Sequence, residues 1–200
     1  MSERPVIVAV SQRVDEVPGR PERRDALDQQ LIGWLTAAGC VAVPVPNSLA
    51  AGALRSWLAA VAPAAIVLSG GNDIGSAPER DRTERHLLDH AHDTGLPVLG
   101  ICRGMQMMGV WAGAALTAVD GHVRTRHVLS GALTGEVNSF HNFSLDSCPP
   151  GFQVLARSED GAIEAIGHQT LSWSGWMWHP EREAAFADDD LARARRLFGF

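Results

Sequence analysis

A chain of 200 residues, 46% hydrophobic and 20% charged, has the length and composition of one soluble domain with a sizeable buried core. Its formal net charge of −6 argues against nucleic acid or an anionic membrane as a general partner, because both select basic surfaces. No apolar run approaches the roughly 18 residues of a membrane span. The three cysteines, Cys40, Cys102 and Cys148, stand at no metal-binding spacing, and Met1-Ser2-Glu3-Arg4-Pro5 lacks signal-peptide character, so the expectation is a reducing cytoplasm.

Pro5 to Val10 is a short, continuously apolar run, as in a strand covered on both faces. Ser11-Gln12-Arg13 follows at its C-terminal end, the edge where open α/β sheets collect ligands, so Arg13 reads either as a phosphate or carboxylate contact or as a solvated loop arginine. Pro21-Glu22-Arg23-Arg24-Asp25 leads into a helix expected to run to a Gly39 cap, with Leu27, Leu31, Trp34, Leu35 and Ala38 on its core face. A second strand is expected over Cys40 to Val45, a helix over Ala50 to Ala60, and a third buried strand over Ala64 to Leu68. That strand ends in Ser69-Gly70-Gly71, whose small residues let backbone N–H groups approach a ligand closely.

Arg80 opens a helix through about Asp93 that carries His86 and His90 one turn apart; with no third ligand in view, the pair is read as solvated and no metal or other cofactor is expected. Next comes Pro97-Val98-Leu99-Gly100-Ile101-Cys102-Arg103-Gly104-Met105-Gln106, an apolar strand that stops at a cysteine where a helix to Gly113 begins. Gly100-x-Cys102-x-Gly104 has the spacing of a nucleophile elbow with sulfur in place of the usual serine oxygen. A helix N-terminus favours negative charge, which suits a thiolate nucleophile, although a buried structural cysteine in a strand–helix turn fits the same residues. Met107, Met108 and Trp111 read as packing.

From Ala114 the pattern shortens. Ala115–Val119, His122–Val128, Glu136–Val137, Phe152–Arg157, Ala162–Ile166 and Trp173–Trp178 read as hairpins and edge strands. His122 and His127 are read as a polar surface hairpin or as substrate contacts. Ala184 to Phe198 closes the chain as a helix, with Asp188-Asp189-Asp190 a solvated charge run. Strand–helix alternation up to Cys102 implies an α/β fold, an open, mostly parallel sheet flanked by helices, with added β-hairpins in the C-terminal half; nothing divides residues 1–200 into two domains.

A thiolate needs a proton shuttle and the shuttle needs an orienter. His179-Pro180-Glu181 supplies both, since residues two apart in an extended segment point the same way. Taken together, Ser69-Gly70-Gly71, the elbow around Cys102 and His179-Pro180-Glu181 resemble the class I glutamine amidotransferase superfamily in order and spacing, over nearly the whole chain. The resemblance implies a flavodoxin-like sheet, a Cys102–His179–Glu181 triad, and an oxyanion hole from the N–H groups of Gly71 and Arg103. It implies that Gln106 and the segment containing Asn138, Ser139, Phe140 and His141 bind a small-molecule γ-glutamyl substrate, with catalysis through a γ-glutamyl thioester.

Arg80-Asp81-x-x-Glu84 and Val137-Asn138-Ser139-x-His141 resemble the branch that hydrolyses small γ-glutamyl amides such as γ-glutamyl-γ-aminobutyrate. Ser11-Gln12-Arg13, Ile163-Glu164 and Met177-Trp178-His179 resemble members whose amide is a phosphoramidate nucleotide, γ-glutamyl-CDP-amidate, with Arg13, Arg103 or His122 meeting the phosphates. Two features depart from the branch: a shorter Gly71–Glu84 loop, and Phe140-His141-Asn142-Phe143 where Leu-His-His-Gln is usual. They leave the leaving group open. The alternative is a glutaminase subunit that supplies ammonia to a synthetase partner, and a homodimer is also compatible with the sequence. A catalytically dead binding member is disfavoured by the intact cysteine, histidine and glutamate.

Overall fold

The structure is a computed structural model that describes residues 6–200. The expected Pro5 start of the first strand therefore lies outside the described residues. Five strands run parallel: β1 (Val6–Ser11), β4 (Cys40–Val45), β5 (Ala65–Leu68), β6 (Val98–Ile101) and β13 (Trp173–Trp176), in the spatial order β4-β1-β5-β6-β13. Their side chains alternate between two apolar layers because a strand repeats every second residue. Val8, Val10, Val67, Leu99 and Ile101 face helices α1 (Gln29–Ala37) and α5 (Asp188–Phe198). Ala9, Ile66 and Leu68 face α2 (Ala51–Val61), α3 (Pro78–Thr94) and α4 (Arg103–Trp111). Covering both faces is why these strands are continuously apolar in the sequence. Trp34 is core, edge-on to Trp176 at 6.2 Å, and Met105, Met107 and Met108 are fully buried packing residues.

Two expectations are corrected in the N-terminal half. Residues Arg23–Ala26 (β3) are not the start of a helix; they pair antiparallel with Arg13–Glu16 (β2), from Arg13 opposite Ala26 to Glu16 opposite Arg23. The helix starts later because the Asp28 carboxylate caps it, accepting from the Gln30 N–H at 2.9 Å. Asp25 ties the hairpin to the sheet by accepting from both the backbone and side-chain nitrogens of Asn47.

The C-terminal half extends the same sheet by four antiparallel strands, in the order β13-β12-β11-β8-β9: β12 (Ile163–His168), β11 (Phe152–Arg157), β8 (Val123–Gly131) and β9 (Gly135–Phe140). Two short strands, β7 (Leu116–Ala118) and β10 (Phe143–Leu145), pair separately. The expected hairpins are present, but β13 is not an edge strand. It is the seam between the two halves, parallel to β6 on one side and antiparallel to β12 on the other. Asp190 likewise departs from a solvated run: it is buried, accepts from the Trp178 indole at 3.0 Å and pairs with Arg193. Among the described residues no helix is long and apolar enough to cross a membrane.

Candidate active site

Because β1, β5, β6 and β13 are parallel, Ser11, Ser69-Gly70-Gly71, Cys102 and the segment after Trp176 emerge along one edge of the sheet. Cys102 sits between β6 and α4 with φ +50° and ψ −105°, a left-handed conformation that a non-glycine residue adopts only when its surroundings enforce it. Its N–H donates to the Trp176 carbonyl at 2.7 Å, and its carbonyl accepts from Gln106 N–H at 3.1 Å. The flanking glycines are required by space: a Cβ at Gly100 would lie 2.5 Å from Met108 Sδ, and one at Gly104 would overlap the Leu68 backbone. The turn thus holds the sulfur at the sheet edge and leaves the Arg103 N–H in the first turn of α4, without an intrahelical acceptor.

His179 and Glu181 follow β13, the glutamate lying in a single 3-10 turn, Pro180–Arg182. His179 Nδ1 lies 2.7 Å from Glu181 Oε1, and both residues are buried. The Asn138 side chain clamps the histidine backbone, accepting from its N–H at 2.9 Å and donating to its carbonyl at 2.7 Å. Gly70 backs the ring so closely that a Cβ there would stand 2.6 Å from His179 Cε1. Burial, the largest single influence, lowers the pKa of His179. The Cys102 sulfur and the Glu181 carboxylate outweigh it and raise that pKa to about 9. An imidazolium at neutral pH follows from that balance, and it faces the cysteine.

The glycine loop is fixed from behind by a buried ionic network that the sequence did not disclose. Arg80, fully buried, donates to the carbonyls of Ser69 (2.6 Å), Gly70 (3.0 Å) and Gly71. A planar trans peptide whose Gly70 carbonyl points at Arg80 must point the Gly71 N–H the opposite way. Glu84, also fully buried, receives Arg80 Nε at 2.9 Å, Ser11 Oγ at 2.7 Å and the Arg103 guanidinium, which also pairs with Asp81. Burial pushes the Glu84 carboxyl up, but Arg103, Arg80 and the Ser11 hydroxyl more than reverse this, so its pKa lies below the usual range. Only the Arg-x-x-x-Glu spacing on one helix face hinted at the network.

The cleft between these parts, about 110 Å³, is lined by Gly71, Cys102, Arg103, Gln106, Phe140, His141, His179 and Arg182, among others. The structure therefore brings together Cys102, His179, Glu181, Gly71, Arg103 and Gln106. Gln106 is buried and donates to the Phe143 carbonyl at 2.9 Å. Phe140 and His141 line the cleft, whereas Asn138 is spent on His179, and the buried Ser139 hydroxyl donates to the His122 carbonyl. Arg13 stands at the mouth, half exposed, its stem about 3.5 Å from a Cβ built on Gly71.

Two expected phosphate contacts are corrected. The Arg103 side chain is committed to Glu84 and Asp81, and His122 is buried against His141 and Asp160, on neither the surface nor the cleft wall. Arg182 was not singled out by the sequence. It is partly exposed and stacks its guanidinium 4.9 Å from the Phe140 ring centroid.

A cysteine elbow at the C-terminal edge of a parallel sheet, beside a glycine loop and a His–Glu pair, defines an α/β class of proteins with sulfur at the centre of the site. Residues 24–195 match the family model for glutamine amidotransferase class-I, and the chain belongs to that family. It is 32% identical over 125 residues to a gamma-glutamyl-CDP-amidate hydrolase from Campylobacter jejuni, a match covering 60% of this chain and 62% of that protein. It is 35% identical over 129 residues to the glutamine-hydrolysing chain of a GMP synthase from Methanothrix thermoacetophila, covering 60% of this chain and 71% of the relative. A crystal structure from Thermoplasma acidophilum, also assigned to a GMP synthase, superposes with a TM-score of 0.76 at 20% identity, covering 98% of this chain and 94% of that one.

Proposed function

We propose that the protein is a cysteine-dependent hydrolase of a small γ-glutamyl amide. The observation that carries this reading is the strained Cys102 elbow facing an imidazole whose far nitrogen is held by Glu181. Cys102 attacks the γ-carbonyl, and the oxygen that gains charge faces the Gly71 and Arg103 N–H groups, each worth about 3 kcal/mol of barrier. His179 gives its proton to the departing nitrogen as the C–N bond breaks, leaving a γ-glutamyl thioester. The now neutral His179 takes a proton from water, which attacks the thioester and releases glutamate and the free thiol. Glu181 orients the ring and stabilises its charged form.

The size of the cleft supports a division of the substrate. At about 110 Å³ it is smaller than the roughly 300 Å³ at which pockets for drug-sized ligands begin, so it suits the glutamyl group alone. The leaving group then lies at the mouth, where Arg13 and Arg182 line a second groove beside Gly70 and Gly71. Two guanidinium groups there favour an anionic leaving group, and the Campylobacter relative supports a phosphoramidate such as CDP-amidate. The GMP synthase relative supports a second reading, a glutaminase that passes ammonia to a synthetase partner.

Purified protein offered glutamine, γ-glutamyl-γ-aminobutyrate and γ-glutamyl-CDP-amidate is expected to release glutamate fastest from the last. Cys102→Ala is expected to lose at least about 10⁴-fold in turnover with an unchanged circular dichroism spectrum. Near-normal glutamate release by that variant refutes the mechanism, and glutaminase activity that emerges only with a synthetase present establishes the second reading.

A further inference from the structure

Behind the cleft, three histidines and a glutamate from separated stretches of chain converge: His122 before β8, His127 within it, His141 after β9 and Glu164 in β12. Each brings one ligand atom within 4.8 Å of all the others. Three of the edges are short: His122 Nδ1 to His141 Nε2 is 3.3 Å, and each of those nitrogens is 3.4 Å from Glu164 Oε1.

The outer hydrogen bonds decide what those atoms present to one another. His141 Nδ1 lies 3.0 Å from the Phe143 carbonyl, which can only accept, so that nitrogen carries the proton and Nε2 turns a lone pair inward. His122 Nε2 lies 2.8 Å from Asp160 Oδ2, an ionised carboxylate, so Nδ1 likewise turns a lone pair inward. Glu164 is fully buried and neither carboxylate oxygen accepts a hydrogen bond; His127 Nε2 is also buried without a partner. Lone pairs and a carboxylate aimed at one point repel unless a cation stands between them, and an uncompensated buried carboxylate is costly.

We propose that these four residues form a binding site for a divalent transition ion of the Zn²⁺ type. Bond lengths of about 2.0–2.2 Å to nitrogen and oxygen give a tetrahedron with edges of about 3.3–3.5 Å, which the three short edges already have. The half-buried His127 closes the fourth position by a small rotation of its ring. Asp160 and the Phe143 carbonyl supply the outer bonds that fix the tautomers of metal-bound histidines. With four protein ligands the site is structural: it staples the β8–β9 hairpin to β12. Its effect reaches the cleft, because the Phe143 carbonyl held by His141 also receives Gln106. The imidazole and carboxylate set selects Zn²⁺ over Mg²⁺ or Ca²⁺, which prefer all-oxygen shells.

The test is metal analysis of untagged protein purified without chelating resin, followed by Zn²⁺ titration of chelator-stripped protein by calorimetry. About one equivalent of zinc per chain is expected, and stripped protein is expected to regain it with saturation. Co²⁺ in its place should give tetrahedral d–d absorption with no thiolate charge-transfer band. Glu164→Gln and His127→Ala are expected to abolish stoichiometric binding, Asp160→Asn to weaken it about 10- to 100-fold, and Cys102→Ala to leave it intact. Because His127 is only half buried, its alanine variant should remain folded by circular dichroism and isolate the ligand effect. The site is refuted if stripped wild-type protein takes up no saturable equivalent, if both ligand variants bind like wild type, or if Cys102→Ala loses the metal. None of these readouts depends on the reaction proposed above.

Discussion

Two glutamates in this molecule share complete burial and differ in everything around them. Glu84 receives Arg80, Arg103 and the Ser11 hydroxyl, so both oxygens are occupied by donors that are themselves fixed. Glu164 has only histidine nitrogens at 3.4 Å and accepts no hydrogen bond. The first cluster carries its own counter-charges and holds the Ser69-Gly70-Gly71 loop behind the cysteine. The second is complete only with a cation supplied from solution. The contrast separates a buried charge that the fold neutralises from one that it reserves for a ligand.

Removing the charge should therefore act in opposite directions at the two sites. Glu84→Gln leaves Arg80 and Arg103 buried with too few partners, and a loss of about 3–5 kcal/mol in unfolding free energy is expected by urea denaturation. The pH dependence of that stability follows from the lowered pKa of Glu84. Its contribution is fully present above its unfolded value of about 4.5 and is lost as the pH falls through the lower folded value. The variant should accordingly flatten the acid limb of the wild-type stability curve. Unchanged stability in Glu84→Gln would mean that the network does not organise the loop.

Glu164→Gln removes a carboxylate that the metal-free fold does not satisfy. In chelator-stripped protein it is expected to raise unfolding free energy by about 1–2 kcal/mol, the penalty for an unpartnered buried polar group. Zinc should reverse the ranking, because only wild-type protein gains by binding it. Thermal melts of the four combinations of protein and metal test this crossover. Parallel behaviour of the two proteins would remove the distinction between the clusters.

The half of the fold that the sequence disclosed is the half whose contacts are local. Val6–Ser11, Ala65–Leu68 and Val98–Ile101 are short apolar runs because helices cover both faces, and each ends where a small residue or a cysteine marks the sheet edge. The elbow, the His179–Glu181 pair and the glycine loop were legible for the same reason, each being set by a few adjacent residues. Pairing between distant segments is not encoded that way. Arg23-Arg24-Asp25-Ala26 has the charges of a helix start and becomes a strand only through its pairing with β2. Trp173–Trp176 reads as one more short strand, and only its insertion beside β6 makes it the seam of the sheet. His122, His127, His141 and Glu164 stand at no ligand spacing, so their convergence exists only in three dimensions.

Glu181 falls between the two extremes and supplies the smallest effect. One of its oxygens is engaged with His179 Nδ1, while Oε2 is buried without a partner. Burial depresses the histidine, and Cys102 followed by Glu181 raises it to about 9 from an ordinary value of 6.5. Stability from this charged imidazole is fully present below 6.5 and is lost as the pH rises through about 9. Glu181→Gln removes only the weaker of the two raising influences, since the Cys102 sulfur remains. The His179 pKa should then drop by about one unit, or about 1.4 kcal/mol, which an NMR titration of the imidazole measures directly. The alkaline limb of kcat/KM should move down by the same amount, because the ring must carry its proton to release the leaving nitrogen. A limb that stays in place while the NMR value moves would show that another group limits turnover at high pH. A value that does not move at all would assign the elevated pKa to the cysteine alone and leave Glu181 with orientation as its whole role.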